Sequence, residues 1–595
     1  MDKMGELRRT HYAEDTVKVP FGETVTVAGF VSRTRDLGNL IFTDLRDNTG
    51  ILQLAFDQDT DPEVFRKAEQ LKSETVIMAK GVLRERSSKN KDIPTGDIEL
   101  FVTDLRILNA PTEMLPFEIR DEVPVRDDLS LKYRYLELRK PGMTRNLVMR
   151  HKIVKCTRDY FDSQHFLEIE TPMLIKSTPE GARDYIVPSR VQPGHFYALP
   201  QSPQIYKQIL MVAGYDRYMQ IVRCFRDEDL RADRQPEFTQ IDLEMSFADV
   251  DDVIAVNEGF LKKLFHDILG KDIQTPFRRM TWNDAMAKYG SDKPDLRFGL
   301  EITDLSETVK GCGFGVFAST VENGGSVCAI NAKGLAEKLT RKEIDKLVEF
   351  VKTYKAKGIA FTRINADGTS SSSYEKFLSE DEAKAVREKM EAEAGDVILI
   401  IAGDRMETLT ALGALRCQIA RNFGLIEKGR FELLWVTDFP LFEYSEEEDR
   451  WVAMHHPFTA PRDEDMDKIV SDPGSCYAKA YDIVINGTEA GGGSIRISNP
   501  NVQQQMFEAL GFTDESARSR FGFLMDAYKY GAPPHGGLAY GLDRLVMLLL
   551  ELDTIRDVIA FPKVQNAGEP MSGCPDFVDQ KQLEELHIKL DLDEE

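Results

Sequence analysis

A strand with an acidic face follows an arginine-rich loop in residues 218–247. Apolar and polar residues alternate over residues 239–247, which predicts a strand with Asp242 and Glu244 on its polar face. An antiparallel strand with one ordinary solvated face explains that alternation equally well. The preceding loop gathers cationic, acidic and aromatic side chains, namely Arg226, Arg231, Arg234, Glu228 and Phe238. Forked guanidinium groups suit phosphate oxygens and a ring can stack on a base, so the segment indicates a nucleotide site.

A glycine-rich hairpin in residues 480–499 carries two carboxylates and an arginine, which are Asp482, Glu489 and Arg496. The Asn486-Gly487 pair between two strand-like runs is typical of a tight hairpin turn. Two carboxylates beside a phosphate site are typical ligands of Mg²⁺, which completes its shell with water and phosphate oxygens. A hairpin with merely solvated acids fits the isolated motif equally well.

The segment PPHGGLAYGLDRLVMLLLELD, residues 533–553, changes from a glycine-spaced strand into an apolar helix. Arg544 falls in the first turn of that helix. Neither the P-loop pattern nor GxGxxG is present, which argues against the two commonest nucleotide-binding folds. A single arginine in a first helical turn is usually a surface residue, so this motif carries weight only beside the other two.

Taken in order, these segments resemble the three motifs of class II aminoacyl-tRNA synthetases. Pro172 in IETPML corresponds to motif one, Arg226 to Phe238 to motif two, and GLAYGLDR ending in Arg544 to motif three. The strings STPEGARDY, PQSPQIYKQ, DEDLRADRQPEFTQID and AMHHPFT are similar to the bacterial aspartyl family. The resemblance extends over nearly the whole chain.

The resemblance implies how ATP is held. Arg226 would bind the α-phosphate, Phe238 would stack under adenine, and Arg544 would cover the other face of adenine and the γ-phosphate. The remaining ATP contacts implied are Asp227, Glu228, Gln235, Glu489, Gly541, Leu542 and Asp543. Catalysis would rest on Arg226, Arg544 and Glu489, while Asp482 and Glu489 would hold Mg²⁺.

The resemblance also implies that the amino acid is L-aspartate. Arg496 and Lys207 would bind its side-chain carboxylate, and Asp242 and Glu180 would lie near its ammonium group. Gln204 and His455 would add hydrogen bonds, although at least one of the adjacent His455 and His456 has a structural role. A forked arginine and a lysine suit an anionic side chain and leave a neutral amide poorly paired.

Two other functions are compatible with part of this pattern. An asparaginyl- or lysyl-tRNA synthetase would share the motifs, but neither is expected to combine Lys207, Arg496 and PEGARDY. A paralogue that only binds RNA would have lost Arg226, Glu489 or Arg544, and all three are present.

The N-terminal residues read as five short β runs, with a helix predicted from Pro62 to Lys72. That order predicts an OB-fold barrel, which either binds splayed single-stranded bases or is simply a small barrel with Phe42 in its core. The resemblance implies that Phe42, Gln53 and Glu99 read the central anticodon base and that Arg35 contacts the anticodon stem-loop. Leu37 stands where relatives that also charge tRNA(Asn) tend to carry histidine, which favours tRNA(Asp) and leaves tRNA(Asn) open.

The chain is predicted to be multidomain, combining α/β and β parts. We expect an N-terminal OB-fold β-barrel, a class II synthetase catalytic domain on an antiparallel sheet and an α+β insertion domain, in which the serine run GTSSSSYE marks a loop. The expected boundaries are 1–110 for the anticodon-binding barrel, 111–135 for a hinge, 136–290 and 411–565 for the catalytic domain, 291–410 for the insertion and 566–595 for a C-terminal extension. Motif one usually lies at a two-fold interface, which implies a homodimer.

Composition sets outer limits on the function. A chain of 595 residues predicts several domains, and its formal net charge of −24 argues against indiscriminate nucleic-acid binding. RNA contacts must therefore come from local basic groups. No apolar run is long enough for a membrane span or a secretory signal, so we expect no membrane partner and a cytoplasmic location.

Overall fold

The computed structural model describes residues 1–178, 181–228 and 234–592. The chain divides into two compact units, Met1–Met149 with Arg556–Asp576 and Arg150–Ile555 with Phe577–Glu595. Among the described helices, none combines the length and the apolarity needed to span a lipid bilayer.

The first unit is built around a closed barrel of five strands. Its elements are β1 (Thr24–Asp36), β2 (Ile41–Arg46), β3 (Ile51–Phe56), α1 (Pro62–Glu69), β4 (Val76–Glu85) and β5 (Ile98–Asn109). The strands close in the order β1-β2-β3-β5-β4, which confirms the predicted OB-fold with its helix between the third and fourth strands. The helix predicted to reach Lys72 ends at Glu69, because Leu71 turns into the barrel core.

Three helices follow the barrel, namely α2 (Asp127–Lys132), α3 (Arg134–Glu137) and α4 (Pro141–Ser163). Apolar residues recur at helical spacing over residues 146–161, which predicts a helix there. Helix α4 confirms it and starts five residues earlier, at Pro141. Proline at a first helical position is favourable because its missing N–H has no partner to lose there. Helices α2 and α3 begin inside the segment that was predicted to be a hinge.

The second unit contains the remaining elements in chain order. Up to residue 289 these are β6 (Leu167–Glu168), β7 (Ile186–Pro188), β8 (Phe196–Ala198), α5 (Gln204–Val212), β9 (Arg217–Phe225), β10 (Glu237–Ser246), α6 (Val250–Leu269), β11 (Arg278–Thr281) and α7 (Trp282–Tyr289). The insertion follows with β12 (Thr303–Asp304), α8 (Gly315–Glu322), β13 (Ser326–Ala332), α9 (Arg341–Lys352), β14 (Ala360–Ile364), β15 (Ser370–Ser372), α10 (Glu380–Lys389), β16 (Val397–Gly403) and α11 (Arg405–Phe423). The last group is β17 (Leu433–Thr437), β18 (Phe442–Ser445), β19 (Arg450–Ala453), β20 (Ala480–Ile485), β21 (Thr488–Ile495), α12 (Pro500–Ala509), α13 (Asp514–Tyr528), β22 (His535–Gly541), α14 (Leu542–Leu549) and α15 (Gln580–Glu585).

The large sheet of the second unit has eight strands in the order β11-β17-β20-β21-β22-β10-β9-β6. Its six central strands are antiparallel, as predicted, but β11 and β6 pair in parallel with β17 and β9. The sheet is therefore mixed, because both edge strands come from long crossover connections rather than hairpins. Phe247 was predicted to continue the apolar face of β10. It lies beyond the strand with a positive φ of 56° and is 72% exposed.

The insertion is an α+β layer built on a five-stranded sheet in the order β12-β13-β16-β14-β15. Apolar clusters cover both faces of this sheet, and β13 is buried along its whole length. The serine run that was predicted to be a loop contains strand β15 (Ser370–Ser372). That prediction was wrong because β15 is held by its backbone pairing to β14, and a serine is tolerated on such an edge strand.

One buried ion cluster joins the barrel to the residues that follow it. Arg46 donates two hydrogen bonds to the Glu74 carboxylate, at 2.9 and 2.7 Å, and Arg139 donates a third at 2.9 Å. The Phe30 ring lies 4.2 Å from the Arg139 guanidinium. The Glu74 side chain is 1% exposed, so the two arginines face each other across a carboxylate that water does not reach.

We expect Glu74→Gln to destabilise the barrel. The amide keeps the shape of the side chain but leaves two guanidinium groups without their anion, which costs about 3 kcal/mol or more for a buried pair. The check is amide hydrogen exchange of β1 and β2 in the full-length chain, where the variant should lose protection. Glu85→Gln, in an exposed pair with Lys89, serves as the control and should change nothing measurable. Equal protection in both variants would contradict the prediction.

Candidate active site

A glycine of strand β22 leaves room for a carboxylate of the neighbouring strand β10. In the pairing of β10 with β22, Asp242 lies opposite Ala539 and Glu244 opposite Gly537. A Cβ at Gly537 would come 2.1 Å from Oε2 of Glu244, so only glycine fits beside that carboxylate. The glycine spacing noticed in residues 533–553 therefore makes space for buried acids, in addition to leading into α14.

Two buried cations face those two acids. Nζ of Lys207, on α5, lies 2.6 Å from Oδ1 of Asp242 and 3.4 Å from Oε2 of Glu244. Arg496 donates to both carboxylate oxygens of Glu244, from Nε to Oε1 at 2.9 Å and from Nη2 to Oε2 at 3.1 Å. Burial raises the pKa of Asp242, whereas for Glu244 the effect of burial is outweighed by Arg496 and Lys207, which hold its pKa below the usual value. The four side chains balance their charges within the protein.

His456 completes the surroundings of Arg496. Nη1 of Arg496 lies 2.8 Å from Nε2 of His456 and donates to Oγ of Ser494 at 2.6 Å. Burial, reinforced by the Arg496 charge, lowers the pKa of His456 well below its usual value, so the ring is neutral and its Nε2 accepts a hydrogen bond from Arg496. Of the two adjacent histidines, His456 is the one for which a contact with Arg496 is described.

His455 lies on a different side of the site. Its Nε2 is 3.9 Å from Oδ1 of Asp482, and its ring packs edge-on against Phe439 with centroids 4.8 Å apart. Within the described residues, its buried Nδ1 has no hydrogen-bond partner. Gln204, also predicted as an aspartate contact, donates to Oε1 of Gln208 at 3.0 Å.

The arginines and the aromatic ring predicted for the nucleotide meet in one cleft. The guanidinium of Arg226 lies 5.1 Å from the centre of the Phe238 ring. Arg544 donates a hydrogen bond of 2.9 Å to the backbone carbonyl of Glu489, which fixes its direction. At the rim, Arg234 donates to Glu228 at 3.0 Å. Cations therefore lie near an aromatic face, an arrangement suited to a triphosphate attached to a base.

A β-bulge turns Glu489 towards Asp482. Asp482 pairs with Gly492, but the register then shifts so that Val484 pairs with Glu489. Without that shift Glu489 would oppose Ile485 and point to the other face of the sheet. A Cβ at Gly492 would lie 2.6 Å from Asp482 Oδ1 and 3.5 Å from Glu489 Oε1, so both carboxylates converge on this glycine. Burial, together with the nearby Glu489 charge, raises the pKa of Asp482 to about 6.

Most of the side chains described in this site line a single cavity of about 770 Å³. Of the residues predicted for ATP, aspartate and Mg²⁺, the cavity collects Gln204, Lys207, Arg226, Glu228, Gln235, Phe238, Asp242, His455, Asp482, Glu489, Arg496, Gly541, Asp543 and Arg544. Within the described part of the chain, Asp227 and the buried Leu542 lie outside its lining. Glu180 falls in residues 179–180 and Arg231 in 229–233, which lie outside the described residues.

Comparison with known proteins places this cavity in a family. A family model described as tRNA synthetases class II (D, K and N) matches residues 126–565, which is most of the chain. The chain belongs to the class II tRNA synthetases of the D, K and N group. A second model, described as an OB-fold nucleic acid binding domain, matches residues 25–108 of this class II synthetase.

Relatives of this class II synthetase match it from end to end. The aspartate–tRNA ligase of Ruminiclostridium cellulolyticum is 57% identical, over 99% of this chain and 100% of the relative. The aspartate–tRNA(Asp/Asn) ligase of Lachnoclostridium phytofermentans is also 57% identical, over 99% of this chain and 98% of the relative. The solved asparaginyl-tRNA synthetase of Pyrococcus horikoshii with asparaginyl-adenylate has the same fold, with a TM-score of 0.58 at 18% identity over 93% of this chain and 98% of that one.

The barrel of this class II synthetase carries a separate polar cluster. Arg35 donates to Gln53 at 2.9 Å, Gln53 donates to Glu99 at 2.7 Å, and the other oxygen of Glu99 accepts from Arg84 at 2.8 Å. The Arg35 guanidinium also lies 5.7 Å from the Phe42 ring. Four of the five residues predicted to read the anticodon therefore lie together. Leu37 is apart, 69% exposed in the turn between β1 and β2.

Sequence reasoning missed three members of the two clusters. Glu244 follows Asp242 by two residues on the same polar face, so the alternation itself could have identified it. His456 could not be separated from His455 by sequence, because adjacent residues in an irregular segment give no periodic signal. Arg84 sits on β4 without a neighbouring motif.

We expect Gly492→Ala to disable the synthetase without unfolding it. The added methyl group must displace the Asp482 carboxylate, and a displacement of about 1 Å near the chemistry costs on the order of a hundredfold in rate. The measurement is amino-acid-dependent exchange of pyrophosphate into ATP. Gly522→Ala is the matched control, since its nearest neighbour would be 3.9 Å away, and it should leave exchange unchanged. Normal exchange by Gly492→Ala would show that these carboxylates are not needed in this arrangement.

Proposed function

We propose that this enzyme activates L-aspartate with ATP and transfers the aspartyl group to the 3′ end of tRNA(Asp). The observation that carries the proposal is the pair of buried cations, Lys207 and Arg496, in the cavity that Phe238 and Arg544 also line. Full-length relatives with 57% identity that are named aspartate–tRNA ligases support it.

The N–H donors that Lys207 and Arg496 retain support selection of a side chain that only accepts hydrogen bonds. Four of the five N–H groups of Arg496 are used by Glu244, His456 and Ser494, which leaves one donor for a ligand. Lys207 has three donors and two acidic neighbours, so it also retains one. A carboxylate can accept from both remaining donors at once. The amide of asparagine would turn an N–H₂ group towards one of them and would be rejected.

Activation requires one bond to form and one to break at the α-phosphorus. An α-carboxylate oxygen of aspartate attacks that phosphorus, and the bond to the bridging oxygen of pyrophosphate breaks, giving aspartyl-adenylate. Arg226 and Arg544 would stabilise the charge that develops on the phosphate oxygens. A hydroxyl group of the terminal ribose of tRNA then attacks the aspartyl carbonyl and releases AMP.

Asp482 and Glu489 fit the coordination of a magnesium ion. They converge on Gly492, and the raised pKa of Asp482 reflects two carboxylates held close together out of water. No group of three or more histidine, cysteine or acidic residues suited to a metal occurs among the described residues, so phosphate oxygens and water would complete the shell. Bound there, Mg²⁺ would neutralise phosphate charge.

We expect Arg226→Ala to abolish aspartate-dependent exchange of pyrophosphate into ATP while the protein stays folded. The arginine lies over Phe238 in the cleft, and loss of such a preorganised donor typically lowers the rate by on the order of a hundredfold or more. Folding is checked by thermal unfolding of the variant. In the parent enzyme, stimulation by lysine or asparagine instead of aspartate would refute the proposed amino acid, and near-normal exchange by the variant would refute the role of Arg226.

The barrel cluster supports binding of the anticodon. Gln53 and Glu99 are each 4% exposed and hydrogen-bonded to one another, so their remaining polar edges are fixed in direction. Fixed amide and carboxylate edges beside the Phe42 ring suit a base that is stacked and hydrogen-bonded at its edge. Charging of tRNA(Asn) as well is the second candidate, favoured by relatives that are named for both tRNAs.

We expect purified tRNA(Asp) to be charged efficiently, and Gln53→Ala to raise the KM for that tRNA by roughly tenfold to a hundredfold, the usual range for loss of a specific base contact. Pyrophosphate exchange should not change in the variant, since the barrel takes no part in activation. Charging of tRNA(Asn) in parallel decides between the two tRNA ranges. An unchanged KM for tRNA(Asp) in Gln53→Ala would show that this cluster does not bind the anticodon.

We also propose a cytoplasmic homodimer with the domain boundaries given above. The exposure of Leu167 and Leu174 on either side of Pro172, each 51% exposed, supports a partner surface there. The proposed cytoplasmic location follows from the substrate, because the enzyme must be where tRNA is.

A further inference from the structure

The start of helix α14 is tied to strand β10 by a side chain. Backbone pairing between β10 and β22 ends at Gln240 and Gly541, because β22 stops there while β10 continues to Glu237. Thr239 is the residue of β10 next to this last pair, where β22 no longer provides a partner. Its backbone N–H donates to Oδ2 of Asp543 at 2.9 Å, so the Asp543 carboxylate replaces the missing strand as the hydrogen-bond acceptor.

Arg150 provides the counter-charge for that carboxylate. Nη1 of Arg150, on α4, lies 2.5 Å from the other oxygen, Oδ1 of Asp543. The Asp543 side chain is only 4% exposed and that of Arg150 is 19% exposed. A carboxylate so far from water is stable in its charged form only when it is paired and hydrogen-bonded. If Arg150 were removed, the Thr239 N–H would be the one partner left to the Asp543 carboxylate among the described residues.

Asp543 is one peptide bond away from Arg544, and Thr239 is one peptide bond away from Phe238. The bond from Thr239 to Asp543 therefore fixes the separation of the two residues proposed to enclose adenine. Arg544 is held at its far end by the Glu489 carbonyl, at 2.9 Å.

We propose that Arg150 is a positioning residue for ATP, acting through Asp543 to hold Phe238 and Arg544 at the spacing of an adenine ring. This inference rests on the proposed function, because it assumes that Phe238 and Arg544 contact the base. It assigns no contact with substrate to Arg150 itself. Its consequence is specific to the nucleotide, since Lys207 and Arg496 do not depend on this link.

The test compares Arg150→Gln with Arg158→Gln in aspartate-dependent exchange of pyrophosphate into ATP. Both arginines lie on α4, but Arg158 forms a surface pair with Glu168 and its side chain is 49% exposed. We expect Arg150→Gln to raise the KM for ATP by roughly tenfold, as loss of positioning in a cleft does. The KM for aspartate should stay within about twofold, and Arg158→Gln should match the parent enzyme.

Arg150→Lys provides a second variant for the same measurement. Arg150→Lys retains the charge without the fork, so we expect its KM for ATP to lie between those of the parent and Arg150→Gln. If Arg150→Gln does not fold, Arg150→Lys alone decides, and an unchanged KM for ATP in it would overturn the inference. Equal rises in the KM for ATP and for aspartate would also overturn it, since that pattern marks a general structural role. Absence of exchange in the parent enzyme would instead refute the proposed function.

Discussion

Two acids and two cations buried side by side in the large sheet set the main constraint on this molecule. Asp242 and Glu244 come from one strand, Lys207 from a helix and Arg496 from the end of a third element, so the site exists only when all three are in place. None of the four charges is stable there without the others, because an isolated buried charge costs several kcal/mol. Gly537 of β22 follows from the same constraint, since a Cβ at that position would lie 2.1 Å from the Glu244 carboxylate.

The arrangement also explains how an enzyme with a net charge of −24 handles anionic ligands. Some of its cations lie where phosphate and carboxylate groups are expected, and a neighbouring acceptor sets the direction of three of them. Arg544 is aimed by a backbone carbonyl, Arg496 by Glu244 and Arg35 by Gln53. A fixed guanidinium discriminates by direction as well as by charge, which a surface lysine on a flexible stem does not. The enzyme therefore selects anionic ligands by local contacts within the site rather than by long-range electrostatic attraction.

Much of this architecture could be predicted from sequence where a regular period or a turn signal exists. The five barrel strands, the helix around residues 146–161 and the Asn486-Gly487 hairpin were all visible in this way, and both turn residues adopt positive φ, 53° and 76°. The parallel edge strands were not visible, because pairing direction depends on long connections. The strand Ser370–Ser372 was missed because edge pairing depends on the backbone rather than on side chains. Resemblance supplied the roles of the site residues, but it did not reveal that Glu244 and His456 hold Arg496.

The bulge beside Glu489 shows that chain length, as well as residue type, specifies this site. Removing one residue between Asn486 and Glu489 would restore a regular ladder in which Glu489 opposes Ile485, so its carboxylate would point to the opposite face although every functional residue type would still be present. Homologous sequences that preserve all the acids but differ by one position in this turn would therefore encode a different surface. Spacing between the turn and the glycine run is a more stringent mark of a working site than the presence of the acids alone.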